Sequence, residues 1–240
     1  MENIFITGAN RGLGFETARY LLESGYMVYL GCRNPELGKE AVSILREQGY
    51  THCESVEIDV TMQTSVEKAF EVLSEKMKSL DVLINNAGIL GRISTPENPH
   101  TLEEVRQVFE TNFFGSIRVT EVFLPLLKRS DNPRIVNVSS ELGSLTLQQD
   151  ENWEYSHFKS ITYPPSKTAL NAFTLMQAYK QKELGVKINS VTPGYTDTDF
   201  NNHQGVLKPE DTCKIIARYA MIGKDGPTGK FFGAEGEVPW

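Results

Sequence analysis

Along the chain, short runs of apolar residues alternate with longer stretches in which apolar positions recur at helical spacing. "NIFIT" (3–7), "YMVYLG" (26–31), "ESVEID" (54–59), "LDVLIN" (80–85), "RIVNVS" (134–139) and "VKINSV" (186–191) predict strands, with a last short one near 229–232. Helical spacing predicts helices over 12–24, 35–49, 64–79, 102–128, 164–184 and 209–222, and Pro35 suits the first turn of the second. Within the long helix, Val105, Val108, Phe109, Ile117, Phe123 and Leu127 mark a buried face. Strands that are apolar almost throughout belong inside a parallel sheet covered on both faces. The alternation therefore predicts an α/β class: a doubly wound parallel sheet of about seven strands, helices on both faces, one domain over 1–240.

"TGANRGLG" (7–14) falls between the first strand and the first helix. Gly8 permits a sharp turn, Gly12 lets backbone approach an anion, and Gly14 lets helix pack closely on strand, while the free N–H groups of the helix face the turn. In that position the loop, with Asn10, Arg11 and Leu13 between its glycines, predicts a dinucleotide site and a Rossmann-type fold. An NAD site commonly ends the second strand in an acid that accepts from the ribose hydroxyls. Here the strand ends in "GCRNP", with Cys32 in that place and Arg33 after it. Arg11 adds a second guanidinium, and two arginines at one pocket suit a 2′-phosphate, so the expected cofactor is NADP(H).

Composition removes other classes. A net charge of −7 and a pI near 5.2 give no basic footprint for nucleic acid or an anionic membrane, and neither is an expected partner. No stretch approaches the ~20 apolar residues of a spanning helix, and the first residues lack a leader pattern. Three scattered cysteines, Cys32, Cys53 and Cys213, suggest neither a disulfide framework nor a zinc site, and His157 and His203 have no partners at ligand spacing. The expected setting is cytoplasmic, with no metal.

Two Tyr-x-x-x-Lys pairs stand close together: Tyr155 with Lys159, and Tyr163 with Lys167. Random placement of the tyrosines and lysines yields roughly half such a match, so context must choose between them. Pro164 and Pro165 suit the first turn of a helix, which puts Tyr163 at its N-terminal edge and Lys167 one turn along the same face. Tyr155 and Lys159 fall in a polar loop.

In order along the chain come "TGANRGLG", "NNAG" (85–88), "TNFFG" with Asn112, "VNVSSELG" (136–143), "YPPSK" (163–167) and "NSVTPGYTDT" (189–198). Together these resemble the motifs of the short-chain dehydrogenase/reductase family, and the resemblance covers essentially the whole chain. Ser166 before Lys167, and the interval from Lys167 to Pro193, match the family's pattern, whereas Phe158 stands before Lys159.

The resemblance implies a catalytic set of Asn112, Ser140, Tyr163 and Lys167. The chemistry is hydride transfer to a carbonyl carbon with a proton delivered to its oxygen, and Tyr163 becomes the general acid in reduction and the base in oxidation. A free phenol titrates near ~10, so Lys167 is expected to lower that value and to grip the nicotinamide ribose. Ser140 would donate to the substrate oxygen, with Ser139 as fallback, and Asn112 would bind a water leading from Lys167. For the cofactor, Asp59 and Val60 would meet the adenine, and Asn86, Ala87 and Gly88 the ribose and nicotinamide side. After Pro193 and Gly194, Thr198 would meet the carboxamide, with Thr196 its rival.

Ser140 and Tyr163 lie roughly ten residues further apart than is common in the family, which places an insertion at 144–162 with Trp153, Tyr155, His157 and Phe158. Such insertions, and an ending like "GPTGKFFGAEGEVPW", are similar to carbonyl-reductase-like members. An NADPH-dependent reductase of varied ketones or aldehydes is therefore expected, with segment 195–208 as a substrate lid. The alternatives are an NADP-dependent dehydrogenase of a steroid or sugar alcohol, and a non-catalytic NADP(H)-binding sensor. A longer insertion can cover the helical surface through which relatives pair, which leaves homodimer and monomer both open.

Overall fold

A computed structural model of the chain describes residues 1–95 and 97–240. Its strands are β1 (Asn3–Thr7), β2 (Met27–Cys32), β3 (Cys53–Glu57), β4 (Val82–Asn85), β5 (Arg134–Val138), β6 (Lys187–Val191), β7 (Phe231–Gly233) and β8 (Gly236–Glu237). They form one sheet in the order β3-β2-β1-β4-β5-β6-β7-β8, parallel except for β8, which pairs antiparallel with β7. About seven strands were expected. The eighth is a two-residue return after the turn at residues 234–235, too short to give a periodic signal.

Successive residues of each central strand enter different cores. Ile4, Ile6, Val28, Leu30, Val82 and Ile84 pack on one face, and Phe5, Tyr29 and Leu83 on the other. The first face is covered by α1 (Gly12–Glu23), α2 (Pro35–Glu47) and α8 (Pro209–Ala220). The second is covered by α3 (Gln63–Lys76), α5 (Gly115–Leu127) and α7 (Tyr163–Lys180). Two covered faces explain why the strands read as apolar runs without alternation. Asn34 caps α2 by accepting from the N–H groups of Glu36 and Leu37, with Pro35 in the first turn.

The helix expected over 102–128 is three pieces: α4 (Leu102–Phe109), a π-helical turn (Glu110–Phe114) and α5. The wider turn lies where Asn112 is held. Likewise 164–184 is α7 followed by a separate 3₁₀ turn, Lys182–Leu184, closed by Gly185 in the left-handed region. The 144–162 insertion, expected to be irregular, contains the short helix α6 (Leu145–Gln149), started by Ser144 accepting from the Leu147 N–H. Among the described residues no helix is long and apolar enough to cross a membrane, and no group of three or more His, Cys, Asp or Glu could hold a metal ion. All three cysteines are buried and unpaired.

Candidate active site

Every strand-to-helix turn after a parallel strand emerges at the same edge of the sheet, and the motif residues gather there. The β1–α1 turn is held by Thr7 and Asn86. The Thr7 hydroxyl accepts from the N–H groups of Asn86 (3.1 Å) and Ala87 (3.0 Å), and Asn86 Nδ2 donates to the carbonyls of Thr7 and Gly8, each at 2.9 Å. Gly8 has φ +66°, and a Cβ there would lie 3.0 Å from the Ala87 Cα, so this crossing needs glycine. Asn86 therefore braces the loop with its side chain. Thr7 is a buried hub that motif reading passed over, although it is the first letter of "TGANRGLG".

The residues present fit a dinucleotide's pyrophosphate. Helix α1 has no side-chain cap and no acid in its first turn, so the amides of Gly12, Leu13 and Gly14 face outward with the positive end of the helix behind them. Asn10 and Leu13 are half-buried in the loop. Thr198 lies opposite, its methyl 3.4 Å from where a Cβ on Gly12 would stand. Thr196 is spent locally: its hydroxyl reaches the carbonyls of Pro193 and Gly194 and the hydroxyl of Thr212.

The arginines differ in their surroundings. Arg33 is exposed and has no side-chain partner among the described residues. Arg11 reaches Asp199 at 3.4 Å, a contact between largely exposed groups. Asp199 also meets Nε2 of His203 (3.0 Å), whose Nδ1 meets Asp197 (2.8 Å). The two carboxylates raise the pKa of His203, first through the Asp197 bond. This trio was not visible as a pattern, because the left-handed turn at Asn202 and His203 folds the imidazole back over its own segment.

Asp59 at the end of β3 uses Oδ1 on the Thr61 N–H (2.9 Å) and hydroxyl (2.7 Å), an Asx turn that shapes the loop. Val60 is buried against Gly115, and its carbonyl accepts from Arg118.

On the other side of the cleft, Ser140, Tyr163 and Lys167 come together. Ser140 lies two residues past β5 and caps the 3₁₀ turn Glu141–Gly143, its Oγ accepting from the Leu142 N–H (3.2 Å). That turn lies flat on α7: a Cβ on Gly143 would stand 2.8 Å from Lys167 Cβ, and the Thr168 hydroxyl donates to the Gly143 carbonyl at 3.0 Å. The close approach sets Ser140 beside the Tyr163 phenol, where it favours the phenolate. Ser139 is buried, and its hydroxyl has no partner among the described residues.

Lys167 is 4% exposed, its Nζ donating to the Val138 carbonyl (2.7 Å) and lying 5.6 Å from the centre of the Tyr163 ring. A Cβ on Gly88 would come 3.3 Å from Asn112 Oδ1 and 3.7 Å from Lys167 Nζ, so all three meet at one point. Asn112, fully buried, accepts from the Ile89 N–H (2.8 Å) and donates to the Ile89 carbonyl (2.9 Å) and the Ser166 hydroxyl (3.0 Å). Ser166 in turn donates to the Tyr163 carbonyl (2.7 Å). The amide of Asn112 thus ties the loop after β4 to the first turn of α7.

Burial pushes the pKa of the Tyr163 phenol up, a rise that neighbouring Ser140 opposes, and burial lowers Lys167 to about 7. The expected depression of the phenol by Lys167 is not what the protein alone displays. Each buried group favours its uncharged form. Phe200 packs edge-on to Tyr163 at 5.6 Å between ring centres and contributes to that dryness. The other pair lies apart: the Lys159 ammonium donates to the Gln148 carbonyl (2.5 Å) and Oε1 (2.8 Å) within the insertion.

Comparison with known proteins agrees with this architecture. The family model for short chain dehydrogenase matches residues 2–206. The short-chain dehydrogenase anuI of Penicillium roqueforti is 37% identical over 92% of this chain and 88% of its own. The (+)-neomenthol dehydrogenase of Arabidopsis thaliana is 32% identical over 95% and 94%. The NADPH-bound carbonyl reductase from chicken fatty liver superposes with a TM-score of 0.86 at 26% identity, covering 100% of this chain and 99% of that one. With its glycine turn at the head of a parallel sheet and its match over most of its length, the chain belongs to the short-chain dehydrogenase/reductase family, oxidoreductases that interconvert carbonyl and alcohol with a nicotinamide cofactor.

Proposed function

We propose that the protein is an NADPH-dependent reductase of ketones or aldehydes. The observation that carries this reading is the buried Tyr163 phenol beside Ser140, with the Lys167 amine over its ring and an uncapped helix N-terminus at the same edge of the sheet. The bound nicotinamide supplies the hydride. Gly8, Gly12 and Gly14 with Asn10 and Leu13 cradle the pyrophosphate, Arg11 and Arg33 take the 2′-phosphate, and Asp59 and Val60 border the adenine. Asn86, Ala87, Gly88, Pro193, Gly194, Thr196 and Thr198 border the ribose and nicotinamide. Of the two threonines, Thr198 is the better placed, because the Thr196 hydroxyl is already engaged.

Ser140 donates to the carbonyl oxygen, and Tyr163 delivers the proton to that oxygen as it gains charge. Lys167, charged once an anionic or hydroxyl-rich partner enters its dry site, stabilises the resulting phenolate and hands a proton back to it. Asn112 positions the tetrad by clamping Ile89 and Ser166. Segment 195–208 acts as the lid, with Phe200 over the phenol, and the chain acts as a unit of 1–240 with 144–162 as its insertion.

The test follows the absorbance of NADPH and NADH with aryl ketones, quinones and α-keto esters. NADPH oxidation that falls about 10²–10⁴-fold in Tyr163→Phe, with cofactor affinity retained, is the expected result. Turnover unaffected by that substitution refutes the mechanism.

A further inference from the structure

Glu141 follows Ser140 directly, and its N–H donates to Thr192 Oγ1 (3.3 Å), which seats it at the carboxyl edge of the sheet between β5 and β6. Its carboxylate lies toward β7, where a Cβ on Gly233 would stand 3.7 Å from Oε1. The side chain is half-buried, and it has no hydrogen-bond or ion-pair partner among the described residues. The charged groups it feels are further carboxylates, Glu154 and Glu235, and burial followed by these two raises its pKa. A half-buried acid without a counter-charge is a costly feature beside a reaction centre.

Aromatic side chains lie within reach of its charge. Tyr155, from the insertion, feels the charge of Glu154 first and then of Glu141, and stands edge-on to Trp153 (5.5 Å) and to Tyr195 of the lid (6.1 Å). Tyr195 follows the Pro193–Gly194 turn, three residues after the Thr192 that holds the Glu141 N–H, so the aromatic row bridges insertion and lid. Carboxylate plus aromatic rings is a combination that attracts an organic cation: the carboxylate supplies charge and the ring faces their quadrupole. A neutral ketone satisfies neither.

We infer that Glu141, with Tyr155 and Tyr195, selects carbonyl substrates bearing a protonated amine, the ammonium going to the carboxylate while the carbonyl lies at Ser140 and Tyr163. This rests on the reductase reading above. The test uses a matched pair of aryl ketones, one ending in a dimethylammonium group and the other in an isopropyl group of the same shape. For the wild type, kcat/KM with NADPH should favour the ammonium ketone by about tenfold, mostly through KM. Glu141→Gln should bring the ratio near one, Tyr155→Leu should reduce it, and Tyr155→Phe should keep it.

Calorimetric titration of both ketones into the NADP⁺-loaded protein supplies a readout independent of turnover. Equal handling of the two ketones by the wild type, or a preference that survives Glu141→Gln, overturns the inference and leaves the reductase reading standing. A binding preference for the ammonium that Glu141→Gln removes, without NADPH oxidation by either ketone, sustains the inference about the site and removes the reductase reading.

Discussion

Replacing Lys167 with methionine should stabilise the cofactor-free protein while abolishing its chemistry. The amine is buried with the Val138 carbonyl as its hydrogen-bond partner, and its pKa stands at about 7 against an ordinary 10.5. A difference of roughly 3.5 units is worth roughly 5 kcal/mol. A lysine with a depressed pKa binds fewer protons folded than unfolded between those two values, so stability rises with pH across that window and the whole penalty is present below pH 7. Methionine keeps the unbranched stem and removes the charge, but leaves the Val138 carbonyl unpaired, at a cost of about 1–3 kcal/mol. The net expectation is about 2–4 kcal/mol of stabilisation at pH 6, shrinking to nothing or reversing as pH approaches the ordinary lysine value. Urea unfolding midpoints of both proteins, without cofactor, between pH 6 and pH 9 measure this directly. A difference between variant and wild type that stays constant across that range refutes the argument, because it would mean that the amine carries its proton in the folded state throughout.

Two further substitutions probe the flanks of the site. Arg11→Gln should weaken NADPH binding about tenfold, as read by calorimetry, while leaving NADH nearly unchanged; equal loss for both cofactors would place Arg11 away from the 2′-phosphate. Asn112→Ala leaves the N–H and carbonyl of Ile89 buried and unsatisfied, so the unfolding free energy should drop by about 2–4 kcal/mol and turnover should fall with it; a loss under about half a kcal/mol would show that water replaces the amide at no cost.

Much of the fold was legible because burial on both faces leaves a strong mark: uniformly apolar strands, alternating with helices, admit few other arrangements. The glycine turn was legible for a steric reason, since the closeness of Ala87 to Gly8 excludes a side chain. What escaped were contacts between segments distant in the chain, as Thr7 bracing Asn86 across 79 positions illustrates. The π-helical turn was hidden too, because one extra residue in a helix shifts apolar spacing too little to register, while its cause, the clamp on Ile89, is tertiary. Glu141 went unremarked because a single acid in a turn is ordinary until its surroundings prove to hold no cation.

The same dryness that disfavours the charged forms of Tyr163 and Lys167 separately can favour them jointly. A phenolate and an ammonium a few ångströms apart attract more strongly as solvent is withdrawn, whereas either charge alone pays the full desolvation cost. Burial raises the one pKa and lowers the other, so in the resting site the proton has no reason to leave the phenol. An entering group that hydrogen-bonds Lys167 restores its charge and with it the case for phenolate, so the acid is poised only when the cleft is filled. The placement of Phe200 against the phenol ring fits that logic: it keeps water from the proton.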